Sequence, residues 1–86
     1  MKYFLVAFSG DFPNYFILYH VVGNTIFVSD KGNYKNKQWS LVDGNACNNE
    51  KDLLDTIHNE WHCDIVHEFN NLKDLDKILM GFELRR

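Results

Sequence analysis

Residues 15–29, YFILYHVVGNTIFVS, hold the feature that most constrains this chain: two runs of aromatic and β-branched residues joined by Gly23 and Asn24. Gly-Asn between strand-like runs marks a two-residue hairpin turn, whose inverted backbone needs residues that tolerate positive φ. If Val22 and Thr25 flank that turn, counting outward pairs Val21 with Ile26, His20 with Phe27 and Tyr19 with Val28. Alternation then assigns Tyr15, Ile17, Tyr19, Val21, Ile26 and Val28 to one face, the expected core face. The opposite face carries Phe16, Leu18, His20, Thr25, Phe27 and Ser29. That second face is too apolar for an ordinary wetted surface: either it is an exposed patch of a few hundred Å², the size that marks an interaction site, or side chains of the N-terminal strand or the C-terminal tail cover it within the chain.

The same signals recur along the chain. KYFLVAFS (2–9) reads as a strand, separated from the hairpin by the turn-forming GDFPN; QWSLV (38–42) is a fourth strand after the polar loop DKGNYKNK, and DIVHEF (64–69) a fifth. Two segments switch to helical period. The first spans about 48–62, with an asparagine cap at Asn48 or Asn49 and Leu53, Leu54, Ile57 and Trp61 on one stripe; the second spans about 71–80, with Leu72, Leu75, Ile78 and Leu79 apolar and Gly81 as a stop. With 86 residues there is room for one core, so a single domain over 1–86 is expected. The expected fold is α+β, an antiparallel four- to five-stranded meander with both helices packed on one face.

Composition narrows the function classes. At 45 % hydrophobic residues and one proline, the chain is of the folding kind and not the disordered kind. No run approaches the roughly 20 apolar residues that span a bilayer, and the apolar run 3–8 is too short for a signal-peptide core, so no membrane partner is expected. Cys47 and Cys63 alone make no disulfide framework, which suits a reducing cytoplasm. Abundant Asn, Phe, Tyr and Ile, with seven Lys against two Arg, fit an AT-rich bacterial or phage genome. Net charge is −3 and unevenly spread: residues 1–42 hold four lysines against two aspartates, whereas residues 43–86 hold five basic and ten acidic side chains.

The stretch IHNEWHCDIVH (57–67) crowds three of the four histidines beside a cysteine. His58 and His62, four apart on the expected helix, share a face and with His67 permit zinc, but the flanking signature of a strong zinc motif is missing. No metal or cofactor is therefore expected. Cys63, near a helix C-terminus and beside Asp64, lacks the cationic surroundings that activate a thiolate. No phosphate loop, nucleophile elbow or Ser-His-Asp order is present, which argues against an enzyme.

Lys31, Tyr34, Lys35 and Lys37, with Trp39, interleave charge and rings in the manner of a single-strand nucleic-acid groove, yet three lysines in an acidic chain argue against a nucleic-acid partner. Asp52, Asp55, Glu60, Asp74 and Asp76 offer an acidic surface to a basic partner. The leading expectation is a small non-enzymatic protein-binding module, acting on a protein partner such as a phage's host factor or on itself as a homodimer, through Phe16, Leu18, His20 and Phe27. The nucleic-acid loop is the alternative, and zinc at His58 and His62 the third.

Overall fold

The structure, a computed structural model, describes residues 2–42, 49–59 and 62–84. Strands β1 (Lys2–Ala7), β2 (Ile17–Val22), β3 (Thr25–Asp30), β4 (Ser40–Leu41) and β5 (Ile65–Phe69) form one antiparallel sheet in the order β4-β3-β2-β1-β5. Helix α1 (Glu50–Asn59) precedes β5 and α2 (Leu72–Leu84) follows it. The α+β class and the meander are as the sequence implies.

The hairpin register is the one counted from the turn: Val22 opposes Thr25, His20 opposes Phe27 and Tyr19 opposes Val28. Of the two turn residues only Gly23 has positive φ, 60°. One glycine therefore suffices for the reversal, and Asn24 sits in ordinary backbone space. The expected strand from Tyr15 begins instead at Ile17. Residues 8–15 curl through helix-like bonds, with Phe12 N–H donating to Phe8 O at 3.1 Å and Tyr15 N–H to Asp11 O at 2.9 Å.

Because successive strand residues face opposite sides, β1 contributes to two cores. Phe4 and Val6 join Tyr19, Val21 and Ile26 beneath Leu53 and Ile57 of α1. Leu5 and Ala7 join Leu18, Phe69, Phe12 and Phe16 with Leu75 of α2. The helices thus lie on opposite faces, which corrects the expectation that both pack on one. Topology supplies the reason. Strands β4 and β5 stand at opposite edges, so the connection carrying α1 must cross the sheet and takes the first face. The second face keeps unburied Leu5 and Leu18 until α2 returns over it from the β5 edge.

Helix ends also shift. Asn49 caps α1, its Oδ1 accepting from Asp52 N–H at 2.9 Å, and Asn71 caps α2, accepting from Lys73 N–H at 3.0 Å. Helix α1 is described over Glu50–Asn59 and His62 is not helical, with φ 50°, while α2 runs through Gly81 to Leu84. Gly81 is not left-handed and so does not act as a stop. Lys2 Nζ reaches Glu50 at 2.9 Å and Glu68 at 3.0 Å, joining the start of α1 to β1 and β5. Those hydrogen bonds, to Glu50 first and then Glu68, hold its pKa above 10.5; at this exposure such pairs orient more than they stabilise.

The turn yields a direct test. Gly23→Ala places a Cβ where φ is positive, with no atom within 4 Å to clash, so the whole cost is backbone strain. Urea unfolding should show a loss of about 1 kcal/mol; an unchanged midpoint would mean that the turn does not need a left-handed residue.

Candidate functional site

The second face of the sheet carries the residues expected to meet a partner, and burial divides them. Phe16 and Leu18 are fully buried, Phe16 between Phe12 and Tyr34 at ring-centroid distances of 6.0 Å each. They serve the core under α2 and the 8–16 connection, so the expected patch loses them. His20 and Phe27 remain half-buried. They belong to a row that crosses all five strands, Phe69, Tyr3, His20, Phe27 and Leu41, each directly opposed to the next.

Within that row the His20 ring stacks on Tyr3 at 4.1 Å, and Trp39 presents an edge at 6.0 Å. The imidazole is held neutral: burial lowers its pKa from 6.5, and the amino-terminal charge lowers it further. Among the described residues its Nε2 is buried without a hydrogen-bond partner. The row ends at Leu41, 67 % exposed on the edge strand.

A second feature lies where β1 and β2 run out. Val6, Ala7, Ile17 and Cys63 border an apolar cleft of about 200 Å³, with Phe8, Tyr15 and Asp11 completing its lining. Phe8 and Tyr15 are 47 % and 54 % exposed, so two large rings stand at its mouth. The Cys63 thiol is pushed up in pKa by burial and then by Asp64, which keeps it protonated and apolar in character. Asp64 accepts from Ser9 Oγ at 3.2 Å, fixing a second carboxylate on the chain beside Cys63. The chain pattern hid this site, because Phe8 read as the end of a strand and Tyr15 as a core position. Their exposure follows from the helical curl of 8–15, for which GDFPN gives only a generic turn signal.

The remaining expected sites do not assemble. His58 is exposed at the end of α1, and His62 lies beyond it at φ 50°, so no helical face aligns the two. His67 sits on β5 opposite Leu5, across the sheet from α1. Cys47 lies outside the described residues. Among the described residues no three His, Cys, Asp or Glu side chains are grouped to hold a metal. In the basic loop, Tyr34 and Trp39 pack against the second core, and Lys31 donates to Pro13 O at 3.0 Å; Lys35 and Lys37 stay exposed. The rings needed to stack bases are thereby turned inward. The acidic residues divide as well: Asp52 and Asp55 ride on α1 and Asp74 and Asp76 on α2, on opposite sides of the sheet, while Glu60 and Trp61 lie outside the described residues. Among the described residues no helix is long and apolar enough to cross a membrane.

Comparison with protein-family models, with curated proteins and with solved structures returns no match.

The neutral His20 gives a pH prediction. Its lowered pKa means that the unfolded chain binds the proton more readily, so its contribution to stability is complete above about pH 6.5 and is lost as pH falls below that value. His20→Phe should therefore flatten the loss of stability between pH 7 and pH 5 relative to the parent, read from urea midpoints. Parallel curves would show that His20 does not titrate differently on folding.

Proposed function

We propose that the chain is a non-enzymatic protein-binding module that docks a partner's apolar anchor side chain in the cleft between Phe8 and Tyr15. The observation that carries this reading is the pairing of two half-exposed rings with an apolar cleft of about 200 Å³. Interfaces draw most of their affinity from a few aromatic or aliphatic anchors seated in such desolvated pockets. Asp11 lines the cleft and Asp64 flanks Cys63, so the favoured partner segment places a lysine or arginine next to its anchor. The acidic net charge of −3 favours the same class of partner at longer range. Cysteine usage and composition extend the proposal to a cytoplasmic protein of bacterial or phage origin.

A random-peptide selection tests it. The parent chain should enrich peptides with an aromatic or branched apolar residue adjoining a basic one, and Tyr15→Ser should weaken a selected peptide at least about tenfold. Its unfolding midpoint should stay within a few tenths of a kcal/mol, since Tyr15 is exposed. No shared pattern, or equal binding to the variant, would contradict the reading.

A second reading is self-association across the aromatic row, favoured by the 67 % exposure of Leu41 beside half-buried Phe27. Light scattering would then report a dimer that Leu41→Asp or Phe27→Glu dissolves; a monomer at millimolar concentration removes it.

A further inference from the structure

A larger cleft lies elsewhere, between the β3–β4 connection and α2. Tyr34 and Leu79, backed by the buried Pro13 and Phe16, give it an apolar side, Asn14, Lys31 and Lys35 give it a polar one, and its volume is about 330 Å³. A second cleft of about 300 Å³ adjoins it across Tyr34, lined by Lys35, Lys37, Lys73, Leu72 and Asp76. The fold thus brings Lys73 from α2 to the same cleft as Lys35 and Lys37, loop residues some forty positions earlier. Four ammonium groups line this pair of clefts against one carboxylate, on a chain whose net charge is −3. Among the described residues no ion pair joins any of the four to a carboxylate.

The two inner lysines are positioned. Lys31 Nζ donates to Pro13 O at 3.0 Å, which holds the ammonium at the cleft and leaves two of its three N–H groups to donate elsewhere. Lys35 Nζ stands 5.9 Å from the Tyr34 ring centroid, a cation–π distance that favours one placement of a flexible side chain. Tyr34 itself keeps its proton, since burial, and Asp76 after it, raises its pKa above 10. Its hydroxyl is thus a neutral group and adds no negative charge to the site.

From this geometry we infer that the double cleft binds a small organic anion, an apolar body carrying a phosphate or carboxylate. The apolar walls take the body and the unpaired ammonium groups take the charge. Volumes of 330 and 300 Å³ stand at the lower end of the range for small-molecule pockets. Single-stranded nucleic acid fits less well. Its bases need a free ring face, whereas Tyr34 is packed against Phe16 at 6.0 Å and overlaid by Lys35. The site is separate from the Phe8–Tyr15 cleft and does not depend on it.

Amide chemical-shift titrations of ¹⁵N-labelled chain with phenyl phosphate, inorganic phosphate and phenol test the inference. Phenyl phosphate should give saturable shifts confined to residues 12–16, 31–37 and 72–79, and should bind at least about tenfold more tightly than either fragment alone. The Lys31→Gln, Lys35→Gln double variant should weaken it at least about tenfold, as should Lys35→Glu alone, while Lys51→Gln on α1 leaves it unchanged. Unsaturable or dispersed shifts, equal binding of inorganic phosphate, or indifference to the Lys35→Glu change would overturn the inference. Tighter binding of a single-stranded oligonucleotide at the same residues would also overturn it, in favour of a nucleic-acid groove.

Discussion

Everything in this structure depends on the burial of β1 from both sides. Four consecutive residues, Phe4, Leu5, Val6 and Ala7, are buried, and alternate side chains cannot be hidden from water unless each face of the sheet has its own cover. The chain supplies two covers, α1 and α2. A fully buried Leu or Phe side chain contributes about 1.5 to 3 kcal/mol relative to exposure, so neither face can be left open in a domain whose total stability is about 4 to 13 kcal/mol. The positions of α1, α2 and the 8–16 connection follow from that requirement.

Once both faces are covered, the surface left for recognition is at the ends and edges. The Phe8–Tyr15 cleft opens where β1 and β2 stop, the lysine-lined clefts open where α2 meets the β3–β4 connection, and Leu41 marks the short edge strand. The two ends differ in sign. One presents apolar rings with carboxylates nearby, the other apolar walls with ammonium groups. The excess of lysine in the first half and of acid in the second is thus only partly a property of opposite ends, because α2 carries Lys73 back to the lysines of the loop.

Local chemistry made much of this legible in the sequence. The Gly23 turn fixed the register of β2 and β3 pair by pair, since a two-residue connection admits few alignments, and the asparagines before each helix fixed the starts, since a side-chain oxygen must satisfy the first amides. What depended on distant contacts was not legible. Helix α1 ends before His62, which dissolves the apparent His58–His62 pair, and α2 continues through Gly81 because glycine permits a helix to end without forcing it to. The helix placement was in fact signalled. The unbroken apolar run 3–8 lacks the alternation of a half-wetted strand, and that run, not the hairpin's apolar outer face, indicated that the second face is covered within the chain. Phe16 and Leu18 therefore read as core once β1 is read first.

The most direct test of this account is a set of methyl–methyl nuclear Overhauser contacts in chain labelled at Leu, Ile and Val. Helices on opposite faces predict contacts from Leu75 to Leu5 or Leu18, and from Leu53 or Ile57 to Val6 or Ile26, with no exchange between the two sets. A contact from Leu75 to Val6 or Ile26 would place both helices on one face, leave the aromatic row open, and contradict the claim that the sheet is covered on both sides.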